Sequence, residues 1–191
     1  KSRYVLSLLE EKTRSQNCET INSRLKKARY LDLSSSFIED PYALSFFNNL
    51  EFLNLEENKI KNLEFLNSFS KLKLLYLKGN KKIDKVNVEK LKALKDLKKF
   101  SFSNGKAFVE FLKAKPDLSS LYIDSMDPEL LLLISELSEL KELSIEESDL
   151  TTTNFLSQLS SLEKLSLKKN KLKEILFIEG LQKLRSLDIS H

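Results

Sequence analysis

Residues 50–60 read Leu-Glu-Phe-Leu-Asn-Leu-Glu-Glu-Asn-Lys-Ile, and this stretch decides the fold. Its leucines at the first, fourth and sixth positions, its asparagine at the ninth and its isoleucine at the eleventh recur along the chain. The same frame opens at Ala28, Leu50, Leu72, Leu97, Leu118, Leu140, Leu162 and Leu184, at spacings of 22, 22, 25, 21, 22, 22 and 22 residues. A fixed period of about 20 to 50 residues marks a repeat architecture, in which each unit buries its apolar face only against its neighbours.

Within the frame, apolar and polar residues alternate with the two-residue period of a β-strand. Leu31 and Leu33, Leu53 and Leu55, Leu75 and Leu77, and Phe100 and Phe102 fall in two inward columns. Leu121 and Ile123, Leu143 and Ile145, Leu165 and Leu167, and Leu187 and Ile189 continue them. The strands of successive repeats are therefore expected to pair in parallel. The ninth position is Asn58, Asn80 and Asn170 in the best-formed repeats, where a buried amide satisfies backbone groups as the chain turns. Ser36 and Ser148 substitute for it, whereas Gly105 and Met126 cannot, so their two repeats are expected to be irregular.

The second half of the frame carries Leu44, Leu66, Ile134, Leu156 and Ile178, each followed three residues later by Phe47, Phe69, Leu137, Leu159 or Leu181. A three-residue step suits a 3₁₀ or helical turn on the outer side. Val88, Leu91 and Leu94 predict a longer outer helix near 86–95, and Phe108, Phe111 and Leu112 a second helix ending before Pro116. Residues 1–27 leave the frame. Tyr4, Val5, Leu8 and Leu9, then Ile21 and Leu25, have helical spacing and predict a helical cap over the first layer of the stack, a device that an open-ended array needs.

With these residues in view, the chain resembles the leucine-rich repeat family in its 22-residue form. The resemblance covers residues 28–191, and the repeat from Leu50 to Lys71 matches almost every position. It implies an α/β fold, a solenoid of about eight repeats with a curved parallel sheet on the concave face and short helices or 3₁₀ turns on the convex face. Bacterial internalin-like surface proteins and a eukaryotic regulator of protein phosphatase use this repeat form. The chain lacks the proline that internalins tend to carry after the outer isoleucine, and it stops one strand into its eighth repeat, so further protein is expected after His191.

Composition narrows the function. Of 191 residues, 41% are hydrophobic, enough for a core, and three glycines, isolated at 79, 105 and 180, form no phosphate-cradling loop. No apolar run reaches the length of a membrane span. One cysteine, Cys18, excludes an intrachain disulfide and is read as a half-buried structural residue. Adjacent acidic pairs such as Glu56-Glu57 and Glu146-Glu147 point to opposite faces of a strand, and the one histidine is terminal. No catalytic constellation, metal set or cofactor site is expected, and no small-molecule substrate.

The resemblance implies a binding surface on the concave sheet, and the two-residue alternation leads to the same face. Its third-position residues include Tyr30, Phe52, Leu74 and Lys99, its fifth-position residues Tyr76 and Tyr122, and its seventh-position residues Glu56 and Lys78. Tyr30, Phe52, Leu74 and Tyr76 make an apolar patch that a water-facing sheet does not need. Either a protein partner or a covering segment of the N-terminal cap accounts for it. Charge is segregated as well: residues 71–115 carry fourteen lysines against four acids, and residues 116–163 one lysine against eleven acids. That layout suits steering of a charged protein partner. Nucleic-acid or anionic-surface binding through 71–115 is the alternative. Lysine outnumbers arginine 27 to 5 and no aromatics interleave the lysines, which argues against it. Without disulfide staples, the expected setting is cytoplasmic or that of a secreted bacterial effector.

Overall fold

The alternating leucines of the frame become strands, and the asparagines lock one repeat to the next. A computed structural model of the chain describes residues 2–83, 91, 94–103, 105–124, 126–127, 129–174 and 176–190. Contacts divide it into two units, Lys1–Leu97 and Lys98–His191.

The first unit begins with helices α1 (Ser2–Thr13) and α2 (Cys18–Lys27). Val5, Leu9, Ile21 and Leu25 are buried, whereas Tyr4 is exposed and Leu8 half-buried. Asn17 caps α2, its Oδ1 accepting from the amides of Glu19 (2.9 Å) and Thr20 (3.0 Å). Cys18, expected to be half-buried, is exposed. It sits in the first turn of α2, and the buried stripe of that helix is carried by Ile21 and Leu25 instead. Strands β1 (Tyr30–Asp32), β2 (Phe52–Asn54) and β3 (Leu74–Tyr76) follow. They pair in parallel and in register, Tyr30 beside Phe52 beside Leu74. Between them run 3₁₀ turns at Tyr42–Phe46 and Glu64–Ser68, as the three-residue step predicts. Most of the predicted helix near 86–95 lies outside the described residues; Leu91 and Leu94, which lie within them, are buried.

The second unit contains β4 (Lys99–Ser103), β5 (Ser120–Asp124), β6 (Glu142–Glu146), β7 (Lys164–Ser166) and β8 (Ser186–Asp188). Each is parallel to and in register with the next. The repeats of Gly105 and Met126 are indeed irregular. Both contain true helices, α3 (Val109–Lys113), which follows a 3₁₀ turn at Gly105–Phe108, and α4 (Glu129–Ser135). Their strands have five residues, as does β6. Phe100, Phe102, Phe108 and Phe111 pack there as one aromatic core, with ring centroids 4.4–5.3 Å apart. 3₁₀ turns return at Asn154–Gln158 and Leu176–Gly180.

Both inward columns are buried through Leu165 and Leu167. Leu187 and Ile189, the last layer, are partly exposed, because no further repeat covers them among the described residues. The outer column also differs at one point. Phe177 is buried and Ile178 exposed, so the larger neighbouring side chain takes the core position that the spacing gave to Ile178.

The asparagines behave as predicted. Asn58 Oδ1 accepts from the amides of Ser36 (3.2 Å) and Ile38 (2.8 Å), and Nδ2 donates to the carbonyls of Leu33, Leu55 and Glu56. Asn170 repeats this with the amides of Ser148 and Leu150 and the carbonyls of Ile145, Leu167 and Lys168. Each amide ties its own turn to the preceding repeat. Ser148 does a reduced version, accepting from the Met126 amide at 3.1 Å and donating to the Glu146 carbonyl at 2.8 Å. The residue before each of these polar positions bends into the left-handed region: Ser35, Glu57, Gly79, Glu147 and Lys169 have φ between 48° and 83°.

Candidate functional site

Burying one face of each strand leaves the other open, and the contents of the open face differ between the units. In the first unit it is aromatic. Tyr30 lies flat on Phe52, with ring centroids 4.1 Å apart and planes 10° apart. Tyr76 meets Phe52 edge to face at 5.5 Å. Leu74 is the in-register neighbour of Phe52. Tyr30 is 61% exposed, and Phe52, Leu74 and Tyr76 are half-buried. The four residues singled out in the sequence thus form one ladder across β1–β3. Glu56 and Lys78, two residues beyond the ends of β2 and β3, are also half-buried.

The second unit gathers Tyr122 and Lys99 around a carboxylate that sequence reasoning had not given a central place. Glu142 Oε2 accepts from Tyr122 Oη at 2.6 Å, Lys99 Nζ at 3.3 Å and Ser120 Oγ at 3.3 Å, while Oε1 accepts from Lys164 Nζ at 3.0 Å. The Tyr122 hydroxyl, followed by the Lys164 and Lys99 ammonium groups, outweighs burial and holds the carboxyl down to about 2. The surrounding open-face residues are small: Ser101, Ser103, Ser120 and Ser144 are buried. Beside this cluster Glu146 accepts from Ser144 (3.0 Å) and Ser166 (3.1 Å). Its in-register neighbour Asp124 keeps Oδ1 buried without a hydrogen-bond partner among the described residues. The sequence puts Glu142 in the third-position column of the open face and in an acidic stretch, but gives no sign of a hub, because the hub joins residues from four different repeats.

Several of the charges are paired between neighbouring repeats. Lys73 binds Glu51 at 2.8 Å, Lys164 binds Glu142, Lys169 binds Glu147 at 2.5 Å and Lys171 binds Asp149 at 2.9 Å, each pair one 22-residue repeat apart. Lys98 pairs with Asp117 at 2.6 Å and Lys168 with Asp188 at 3.0 Å. Such pairs offset opposite charges locally and so weaken the alternating field that the linear charge pattern implied. Their partners feel it: hydrogen bonding from Lys73 lowers Glu51, and hydrogen bonds from Ser190 and Lys168 hold Asp188 at about 2.

Concavities lie in the first unit beside the aromatic ladder and away from it. A groove of about 510 Å³ is floored by Ile21 and Phe47 and walled by the exposed Leu6, Tyr42 and Phe46. A second, of about 430 Å³, opens beside Tyr30 between the end of α1 and the start of β1, lined by Lys12, Arg14, Arg24 and Asp32. Among the described residues, no group of three His, Cys, Asp or Glu side chains is arranged to hold a metal ion. No helix is long and apolar enough to cross a membrane.

Solved structures share the fold. An internalin C2 from Listeria monocytogenes superimposes with a TM-score of 0.70 at 21% identity, over 98% of this chain and 85% of that one. The chain carries a leucine-rich repeat fold. An internalin (inlF) from the same organism gives a TM-score of 0.70 at 19% identity, over 96% of this chain and 54% of its own. A leucine-rich repeat protein from Leptospira interrogans gives 0.54 at 21% identity, over 88% of this chain and 50% of its own. No protein-family model matches the sequence, and no curated protein matches it significantly.

Proposed function

We propose that the chain is a protein-binding module whose partner docks on the open face of β1–β3, across Tyr30, Phe52, Leu74 and Tyr76, with Glu56 and Lys78 bordering the contact. One observation carries this reading. Three aromatic rings are stacked into a ladder on a face that the core does not use, and Tyr30 at its end is 61% exposed. Exposed, mutually braced aromatics are the side chains that contribute most to association, because they bury large area at small entropic cost. The repeat scaffold supplies the remainder of the mechanism. Its preformed surface needs little ordering when a partner docks. Helices α1 and α2, residues 1–27, serve the module as the cap of its first layer, with Val5, Leu9, Ile21 and Leu25 as the buried contacts.

Lys99 and Tyr122 contribute less directly in this reading. Their polar ends are committed to Glu142, so they offer a partner the tyrosine ring and the lysine stem. The test is affinity capture with wild type and with Phe52→Ser, Tyr76→Ser. Proteins retained by wild type should be lost from the double variant, with affinity reduced on the order of 30-fold or more for removal of two interface anchors. Circular dichroism should be unchanged, since neither side chain is in the core. Equal capture by both proteins would sink the assignment.

A further inference from the structure

Lys12 and Arg14, on the polar side of the first helix, are exposed and lie beside the end of the aromatic ladder. They line, with Arg24 and Thr13, the concavity of about 430 Å³ whose far wall is Tyr30, Leu31 and Asp32. Arg24 Nη1 donates to the Thr13 carbonyl, which pins the end of α1 to α2. Asp32 is the one carboxylate in the lining, and it is already occupied. Its Oδ1 accepts from the Ser34 amide at 2.9 Å and the Ser34 hydroxyl at 2.8 Å.

Arg14 has an unusual backbone. The helix ends in paired bonds from the Arg14 amide to the Glu11 carbonyl (3.1 Å) and from the Ser15 amide to the Glu10 carbonyl (3.2 Å). That pattern puts its last turn into a left-handed residue, a place where glycine is preferred. Here φ is 51° and the residue is arginine. A bulky cation therefore stands where the local geometry favours no side chain, on the rim of a pocket that opens onto the ladder.

We infer that this pocket takes a carboxylate from an acidic segment of the partner, whose neighbouring apolar or aromatic side chain lies on the Tyr30–Phe52 stack. The inference rests on the protein-binding reading above and adds the chemistry of the partner. Charge complementarity argues for it: Lys12, Arg14 and Arg24 line the pocket against the single carboxylate of Asp32, an excess of positive charge even though Asp32 acts on Lys12 and Arg24 is tied to Thr13. Arginine and lysine bind carboxylates through charge-assisted hydrogen bonds, and an aromatic wall beside them accommodates the adjoining residue. A nucleic-acid strand fits less well, because it needs a continuous basic track beside the stacking rings. Beyond this pocket, Glu51 and Glu56 border the ladder instead.

The experiment uses fluorescence polarisation with two labelled peptides, Glu-Phe-Glu-Tyr-Glu-Phe-Asp-Glu and its counterpart with lysine at every acidic position, and a labelled oligothymidine. The acidic peptide should bind wild type and weaken as salt rises from about 50 to about 300 mM. Arg14→Gly with Lys12→Gln should weaken it by roughly tenfold, the loss expected for charge-assisted contacts. Cations near a helix C-terminus also serve the helix dipole. Arg14→Gly separates the two roles, because glycine relaxes the left-handed residue: the single variant should melt no lower than wild type yet bind the acidic peptide more weakly. Unchanged affinity in the pocket variants, with loss in Phe52→Ser, Tyr76→Ser, would overturn the pocket and leave the ladder standing. Unchanged affinity in that aromatic variant as well would remove both. Equal or tighter binding of the lysine peptide or of oligothymidine, or no binding of the acidic peptide at about 1 mM, a limit already weaker than specific recognition, also overturns the proposal.

Discussion

The open faces of the two units are built on the same positions of the same repeat, yet one is aromatic and the other polar and largely saturated. At the third and fifth strand positions the first unit places Tyr30, Phe52, Leu74 and Tyr76, whose three rings pack on one another and leave surface open to water. The second unit places Lys99, Ser101, Ser120, Tyr122, Glu142, Ser144, Lys164 and Ser166 there. Glu142 and Glu146 collect most of the donors that these residues offer. A satisfied hydrogen-bond network gains little from a partner, whereas exposed rings gain the hydrophobic term in full. On the reading proposed above, that difference favours the first unit as the docking face.

The comparison holds only if the inward half of the repeat is equivalent in both units, and the asparagines test that with the largest expected effect. Asn58→Ala and Asn170→Ala each strand buried amides and carbonyls of two neighbouring repeats. Each should cost about 3 kcal/mol, several unsatisfied buried groups at about 1 kcal/mol or more apiece. Urea unfolding followed by circular dichroism should show matching losses. A large loss at Asn58 and none at Asn170 would mean that the two units are held together differently.

Glu142→Gln comes next and should affect the second unit alone. Replacing the carboxylate weakens charge-assisted bonds from Tyr122, Lys99 and Lys164, a loss of about 1–2 kcal/mol at neutral pH. The sign of its pH dependence follows from the lowered carboxyl, about 2 in the fold against an ordinary value of 4.5. A depressed carboxyl stabilises the fold fully above its unfolded value and loses that contribution as pH falls through its folded value. The melting-temperature gap between wild type and Glu142→Gln should therefore be constant above pH 4.5 and close as pH approaches 2. A gap independent of pH would show that the ionised carboxylate contributes nothing.

The parts of the molecule that were legible in the sequence are those that repeat. Leu53, Leu55 and Asn58 each recur at one period, so their columns, the parallel register and the 3₁₀ turns all follow from a single aligned frame. The aromatic ladder was legible for the same reason, since Tyr30, Phe52 and Leu74 occupy one column of it. What escaped depends on which side chains meet across repeats, or lies outside the frame. Glu142 acquires its meaning from Lys99, 43 residues away, and from Tyr122, 20 residues away, and nothing local to Glu142 announces either. Arg14 reads as helix surface until the chain reverses and carries it to Tyr30. Ile178 and Phe177 compete for one core position, and period alone cannot rank two apolar neighbours by size and fit.

The smallest expected effect concerns the turn that ends each strand. Both units bend the residue before the polar ninth position into the left-handed region, with Ser35 at φ 51° and Lys169 at φ 53°. Gly79, at φ 83°, shows which residue that conformation favours. Ser35→Gly removes the crowding of Cβ against the backbone without removing any interaction of the side chain described above, so stability should rise by about 0.5–1 kcal/mol, offset in part by the added freedom of the unfolded chain. Lys169→Gly gains the same relief but breaks the 2.5 Å ion pair with Glu147. Both partners are well exposed, at 63% and 59%, and exposed pairs contribute between about 0 and 1 kcal/mol. The gain at Lys169 should therefore be smaller than at Ser35, and the difference between the two melting temperatures should shrink as added salt screens the pair. Equal gains at low salt would mean that the rung-to-rung ion pairs of the second unit are ornaments of the surface, and that its polar face owes its order to the Glu142 network alone.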